Sequence, residues 1–229
     1  MTVTTRNRTR RGTRTAPRAV RIAPIGLEGL LSLPEPADGI VLFAHGSGSS
    51  RFSPRNTYVA EALQAAGLAT MLFDLLTEPE AADRARVFDI PLLAERLLMA
   101  TEWTVLDPET ATLPIGYFGA STGAASALVA AAHSNRDIAA VVSRGGRPDL
   151  AGADLSRVKA PTLLIVGGAD YAVLDLNRAA LAQLTCEKTL AVVPGATHLF
   201  EEPGTLDEVI GLARDWFAHH LPVGEGDVK

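Results

Sequence analysis

A run of small residues between a strand-like and a helix-like segment constrains the fold of this chain most strongly. Apolar residues 115–118 predict a buried strand, and the alanine-rich residues 124–129 predict a helix. Between them Gly119-Ala120-Ser121-Thr122-Gly123 fits the pattern G-x-S-x-G, in which the serine lies on a sharp turn above a sheet. The glycines are needed because side chains would clash where strand and helix approach closely. The sequence therefore predicts a strand-turn-helix unit with an exposed serine. The alternative is a tight turn whose serine has no chemical role.

The rest of the chain alternates apolar, strand-like segments with helix-like segments. A hairpin joined at Gly26 is expected first, and later strands end at residues 44, 73, 142, 166 and 193. Helices are expected at about 54–66, 90–105, 174–184 and 205–220. This order predicts an α/β fold with a mostly parallel, doubly wound sheet and helices on both faces. Only about 18 residues separate Val142 from Pro161, too few for a large lid domain.

Charge is distributed unevenly along the chain. Residues 1–18 contain six arginines and no acid, which leaves 15 basic against 26 acidic residues elsewhere. We expect residues 1–18 to form a disordered basic tail and residues 19–229 a single domain. The acidic body argues against nucleic acid as a partner, although the arm could contact nucleic acid or anionic lipid. No apolar run approaches 18 residues, so no membrane span is predicted. The single cysteine, Cys186, excludes an internal disulfide and favours the cytoplasm.

Polar residues recur just after the carboxyl ends of the predicted strands, where open α/β sheets place their sites. They are His45, Asp74, Ser121, Arg144, Asp170 and His198. A serine needs a base to become a nucleophile, and a carboxylate orients an imidazole base. We therefore predict a catalytic Ser121, Asp170 and His198, which follow one another in the chain order of folds with G-x-S-x-G. The alternatives are a helix-capping role for Asp170 and a plain loop position for His198, with Asp149 as the reserve acid.

The tetrahedral intermediate of such a reaction needs two backbone N–H donors, an oxyanion hole. The residue after the serine, Thr122, is one predicted donor. The second is expected from the loop of small residues after the third strand, with Ser47 preferred over Gly48. Gly46 and Gly48 let the backbone approach a substrate closely, and His45 is expected to brace the loop rather than act as a base.

The combined motifs resemble those of the α/β-hydrolase superfamily, and within it the dienelactone hydrolase-like group. The residues that carry the resemblance are 44–48, 119–123, 167–170 and 195–200. The resemblance implies a serine hydrolase that cleaves carboxylic esters of small molecules. Dienelactone hydrolases proper use a cysteine nucleophile, whereas this chain has Ser121, so general ester chemistry is expected, with thioesters or lactones as alternatives. A non-catalytic binding protein of the same fold is the competing hypothesis from another class.

Substrate preference is predicted from two features. The absence of a large lid predicts an open, shallow site that prefers short acyl groups. Arg144 either pairs with a substrate carboxylate or pairs with a nearby acid, Asp74 or Asp149, to hold its loop. No metal or cofactor is expected, because the chain has no HExxH, no paired cysteines and no dinucleotide glycine pattern. The sequence does not predict the oligomeric state.

Overall fold

A computed structural model describes residues 16–221, which build one eight-stranded sheet in the order β1-β2-β4-β3-β5-β6-β7-β8. The antiparallel pairs are β1 with β2 and β2 with β4, and all other neighbours are parallel. The strands are β1 (Arg18–Ile22), β2 (Leu27–Ser32), β3 (Ile40–Ala44), β4 (Ala69–Phe73), β5 (Ile115–Ala120), β6 (Ile138–Arg144), β7 (Thr162–Gly167) and β8 (Lys188–Val193). The central strands β3, β4 and β5 are buried along their whole length, as their continuous apolar runs predict.

Helices cover both faces of the sheet. They are α1 (Pro54–Ala65), α2 (Glu78–Ala81), α3 (Arg84–Val87), α4 (Ile90–Leu106), α5 (Thr122–His133), α6 (Tyr171–Gln183) and α7 (Thr205–His220). One face carries a core with α4, α5 and α6, and the other carries a core with α1 and α7. The predicted mostly parallel, doubly wound α/β sheet is therefore confirmed.

The amino end of the fold differs from the sequence prediction by one residue. Arg18, assigned above to the basic tail, is the first residue of β1 and pairs with Leu31 of β2. Its guanidinium lies 2.9 Å from carboxylate oxygens of both Asp107 and Glu109. A strand partner and two counterions thus hold Arg18, and the ordered domain includes it. The remaining residues assigned to the tail, apart from Ala16 and Pro17, lie outside the described residues.

The connection between β6 and β7 contains only a short 3₁₀ segment, Pro148–Arg157, so the prediction that no large lid follows β6 is confirmed. The segment between β4 and α4 is more structured than its acidic, polar sequence suggests. It forms the short helices α2 and α3. We call residues 78–87, which comprise both helices and the two residues between them, the cover. No helix among residues 16–221 is long and apolar enough to cross a membrane.

Candidate active site

Ser121 lies at a strained turn between β5 and α5. Its backbone has φ 52° and ψ −121°, a positive-φ conformation that is rare for a residue with a side chain. The turn can be this tight because both flanking positions are glycines, and no Cβ would fit at either of them. A Cβ on Gly123 would lie 2.1 Å from the carbonyl oxygen of Ala44, and one on Gly119 would lie 2.4 Å from Cα of Ala124. The glycines of the motif are therefore required by packing, as the sequence predicted.

The turn is also fixed from the neighbouring strand. The Ser121 N–H donates to the Arg144 carbonyl at 3.2 Å, and the Ser121 carbonyl accepts from the Arg147 N–H at 3.0 Å. Surrounding structure of this kind lets a strained conformation persist. The hydroxyl is thereby held at the carboxyl edge of the sheet, beside β6.

Ser121, His198 and Asp170 are brought together by the fold although they are far apart in sequence. His198 Nε2 lies 3.3 Å from Ser121 Oγ, and His198 Nδ1 lies 2.7 Å from Asp170 Oδ2. The two ring nitrogens thus face different partners, one a hydroxyl and the other a carboxylate. A carboxylate on Nδ1 fixes the tautomer that leaves Nε2 free to accept a proton from the serine.

The two acids considered for this site have different partners. Asp170 occupies the N-cap position of α6, yet its side chain makes no capping hydrogen bond and instead contacts the histidine. Asp149 binds the guanidinium of Arg147 through both oxygens, at 2.9 and 2.8 Å. The geometry therefore favours Asp170 over Asp149 as the partner of His198.

The loop that carries His198 is held by a residue that the sequence analysis did not identify. The Glu202 carboxylate accepts from the Thr197 N–H at 3.1 Å and from the Thr197 hydroxyl at 2.6 Å. The hydroxyl bond is the largest cause of a lowered pKa for Glu202. Glu202 lies five residues after Thr197. An acidic residue at such a distance from a loop threonine is common, so the sequence alone does not predict this contact.

The loop after β3 packs directly against the turn at Ser121. A Cβ on Gly46 would lie 3.1 Å from Ser121 Cβ, so only glycine allows this approach without a shift. The Ser47 N–H points to the same place and donates to Thr122 Oγ1 at 2.9 Å. The two predicted oxyanion donors, Ser47 and Thr122, are therefore neighbours. Gly48 has φ 70° and nothing within 4 Å of the position of a Cβ, so it faces open space.

His45 fixes this loop to the end of β4. Its Nδ1 lies 3.0 Å from the Gly46 carbonyl oxygen, and its Nε2 accepts the Leu75 N–H at 3.2 Å. Both nitrogens are thus used in a neutral ring, and burial lowers the pKa of His45 below its ordinary value. The contacts agree with the predicted bracing role.

Arg144 has neither of the acidic partners that the sequence suggested. Asp74 binds Arg51, and Asp149 binds Arg147. The Arg144 side chain is buried, donates to Asn56 Oδ1 at 3.3 Å, and has no partner for its Nε among residues 16–221. Burial, with a smaller contribution from Arg55, lowers the pKa of Arg144 to about 10, so the group is still a cation at neutral pH. The ion pair with a loop-holding acid is therefore absent from the described structure.

Within the described part of the chain no cluster of three or more His, Cys, Asp or Glu side chains is arranged to hold a metal ion. The polar residues at the carboxyl edge bond to one another, to the backbone, or to the side chains of Asn56 and Arg51. Asp74, which the sequence offered as a partner for Arg144, instead accepts from the Arg51 N–H at 2.7 Å.

Comparison with known proteins extends the resemblance to nearly the whole domain. Residues 29–213 match the family model described as the dienelactone hydrolase family. A crystal structure of a dienelactone hydrolase from Anabaena variabilis is 56% identical and has a TM-score of 0.86; the match covers 93% of this chain and all of that one. A Xanthomonas campestris protein, described as a serine hydrolase without a lid, is 25% identical with a TM-score of 0.74, over 91% of this chain and 96% of its own.

Two curated relatives, from two strains of Mycobacterium tuberculosis, are 63% identical over 198 residues. Both carry the name "Putative phosphoribosyl transferase", and the match covers 86% of this chain but only 45% of each relative. The chain thus spans less than half the length of these relatives. The family match and the Anabaena structure agree with the eight-stranded fold and with the motifs from which the resemblance was inferred. The chain belongs to the dienelactone hydrolase family of α/β-hydrolases.

Proposed function

We propose that this protein is a serine hydrolase that cleaves carboxylic esters of small molecules through an acyl-enzyme. One observation carries the proposal: a single imidazole, His198, lies between the Ser121 hydroxyl and the Asp170 carboxylate, at 3.3 and 2.7 Å. Such a series of hydrogen bonds activates a serine for attack on an acyl carbon. The family supports hydrolytic chemistry in general, and the ester specificity is our extension.

In the proposed mechanism the Ser121 Oγ attacks the ester carbonyl carbon while His198 Nε2 takes the hydroxyl proton. The resulting imidazolium is stabilised by the Asp170 carboxylate. When the tetrahedral intermediate collapses, the carbon–oxygen bond to the alcohol breaks and Nε2 returns the proton to the departing alkoxide. A water molecule, deprotonated by the same nitrogen, then hydrolyses the acyl-enzyme and regenerates the serine.

The oxyanion of the intermediate is proposed to bind the N–H groups of Thr122 and Ser47. Both lie at the turn of Ser121, and donors fixed before the reaction stabilise developing charge without reorganisation. The Ser47 N–H donates to the Thr122 hydroxyl at 2.9 Å, so this hydroxyl must yield to or share the donor with the oxyanion. Gly46 and Gly48 are proposed to keep the approach to this position free of side chains.

Arg144 is proposed to bind a carboxylate on the substrate. The alternative role, an ion pair with Asp74 or Asp149, has lost its support because both acids bind other arginines. A buried guanidinium without a counterion is costly, and an incoming carboxylate would relieve that cost. We further propose a small-molecule partner rather than nucleic acid or a membrane, and the cytoplasm as the compartment.

The same tests distinguish the proposed function from two alternatives. The substrate could be a thioester or a lactone, since the same nucleophile attacks either acyl carbon. A non-catalytic binding protein would keep the fold without turnover. The transferase activity in the name of the Mycobacterium tuberculosis relatives refers to proteins more than twice the length of the matched region.

Covalent labelling tests the proposal before any substrate is known. A fluorophosphonate probe should label the wild-type protein at Ser121 and should not label Ser121→Ala. A panel of p-nitrophenyl esters, thioesters and lactones then identifies the preferred acyl bond. Absence of labelling, with no turnover of any panel member, would favour the binding-protein alternative and contradict the proposal.

A further inference from the structure

A cavity of about 570 Å³ lies beside the loop that carries the proposed oxyanion donor. Its volume is in the range of pockets that bind small molecules. The walls are mainly apolar and come from β2, the loop after β3 (residues 45–51), the end of β4, the cover and α4. The apolar wall residues are Leu27, Leu75, Leu76, Val87 and Leu93.

The cavity and the histidine lie on opposite sides of Ser121. In the sheet order, β2, β4 and β3 lie on one side of β5, and β6, β7 and β8 lie on the other. His198 follows β8 and returns the proton to the departing alcohol, so the alcohol must leave on the β8 side. The acyl substituent of the same carbon then points the other way, toward the cavity.

The path from Ser121 to the cavity crosses residues without large side chains. Gly46 packs against the Ser121 side chain, and Gly46, Ser47 and Gly48 also line the cavity. Ser47 and Gly48 are exposed, so this stretch of loop presents backbone to the space above it. A linear acyl group can therefore pass over the loop without meeting a bulky residue.

The charges at the cavity favour a neutral acyl group. Its lining contains the carboxylates Glu28, Asp74 and Glu78 and one guanidinium, Arg51. Arg51 is already paired with both Glu28 and Asp74. A carboxylate on the acyl group would therefore meet excess negative charge, so the carboxylate proposed for Arg144, which ends β6, belongs to the alcohol part of the substrate. An apolar acyl chain would bury its surface against the leucines.

The cover that forms one wall of the cavity is anchored to α4. Glu80 of α2 accepts from the guanidinium of Arg96 at 2.9 Å and from that of Arg86 at 3.0 Å, and also from the Thr77 N–H at 2.9 Å. Arg96 is itself buried, so this contact fixes the cover against the domain. Ala81, the last residue of α2, lines the cavity, whereas Ala82 does not; both residues are exposed.

From these observations we infer that the cavity under the cover binds the acyl group of the substrate, and that this group is neutral and apolar and extends beyond acetyl. The inference rests on the proposed function, because it needs an acyl-enzyme at Ser121. It revises the sequence prediction of a shallow site for short acyl groups. The sequence correctly predicted that no large lid follows β6. The residues that form the wall over the cavity come instead from the segment between β4 and α4.

The test compares substrates of increasing acyl length in matched variants. For the wild type, kcat/KM for p-nitrophenyl esters should rise from acetyl to octanoyl. Ala81→Trp should lower kcat/KM for the octanoyl ester by about tenfold or more, the effect of excluding a methylene or two from an apolar pocket. The same variant should keep kcat/KM for the acetyl ester within about twofold. Ala82→Trp, which adds the same side chain outside the cavity, should keep the wild-type profile.

Val87→Phe fills the cavity from α3 and guards against a local failure of the Ala81 variant. Inactivation rates with ethyl and octyl fluorophosphonates provide a readout that needs no turnover, and they should show the same length dependence. If Ser121 is labelled but the acetyl and octanoyl esters respond equally in all variants, the acyl-pocket inference is wrong and the proposed function stands. If Ser121 is not labelled and no ester is cleaved, the proposed function fails and the inference fails with it.

Discussion

The two sides of Ser121 are built differently. On the side of β7 and β8, polar side chains are connected in series, from Ser121 through His198 to Asp170. On the side of β2 and β4, leucine side chains surround a cavity that meets the site through glycine-rich backbone. Catalysis by a series of hydrogen-bonded groups is lost when any member is removed. A substitution in an apolar wall instead changes the volume of the cavity, and so changes which substrate fits. We therefore expect substitutions on the first side to decide whether reaction occurs and those on the second to decide which substrate reacts.

The largest effect is expected from removing the nucleophile or the base. Ser121→Ala and His198→Ala should each lower kcat by about 10⁴-fold or more, because the remaining groups cannot generate an alkoxide. Unchanged circular dichroism and melting temperature would show that the fold is kept. Residual activity within tenfold of wild type in either variant would contradict the comparison at its central point.

The next effect separates the two acids on the polar side. Asp170→Asn should lower kcat by about 10³-fold, because an amide on Nδ1 no longer stabilises the imidazolium. Asp149→Asn is the matched control and should remain near wild type, since Asp149 binds Arg147 instead. The reverse pattern, an active Asp170 variant and an inactive Asp149 variant, would assign the acid role to Asp149.

Arg144 is expected to have an intermediate effect that depends on the substrate. If it binds a substrate carboxylate, Arg144→Ala should lower kcat/KM for an acidic ester. The loss of transition-state stabilisation should be about 1.5–3 kcal/mol, the contribution of a hydrogen bond to a charged group. A neutral ester of equal length should be little affected. An equal loss with both esters, together with a lower melting temperature, would instead indicate that Arg144 supports the loop.

The smallest effect concerns the contact between His45 and the end of β4. Burial lowers the pKa of His45 in the folded protein, so the unfolded chain binds a proton first as the pH falls below about 6.5. The free energy of unfolding should therefore decrease from pH 6.5 toward the lowered pKa. His45→Gln, whose side chain does not titrate in this range, should show a shallower decrease.

Denaturant unfolding at a series of pH values measures this difference. Burial also lowers the pKa of His220, which contributes with the same sign, so the comparison belongs in a His220→Gln background. If the free energy of unfolding depends on pH identically with and without His45, the pKa of its ring does not differ between the folded and unfolded states.

Local sequence patterns predicted much of the site because its parts are short and chemically demanding. The strand-turn-helix at Ser121 follows from two glycines that no other residue can replace sterically, and α7 begins and ends where its pattern predicted. The carboxyl-edge positions of Asp170 and His198 follow from parallel strand order. Arg18 near the amino end was assigned to the tail by its local sequence but belongs to β1. The acids that pair with it, Asp107 and Glu109, are about ninety residues away, so its neighbours in sequence could not predict this.

The sequence by itself determined the α/β alternation, the family motifs and the candidate nucleophile, acid and base, because each depends on neighbouring residues or on chain order. The partners of each polar group were decided only by the tertiary structure. Arg144 ends β6 and Arg51 lies in the loop between β3 and α1, and of these two arginines only Arg51 has carboxylate partners in the described structure. The cavity was equally hidden, since its walls come from three stretches far apart in sequence, residues 26–28, 45–51 and 74–93, and no pattern in any of them predicts the space between them. Pairing and enclosed volume depend on distances between remote segments, and those distances exist only once the chain has folded.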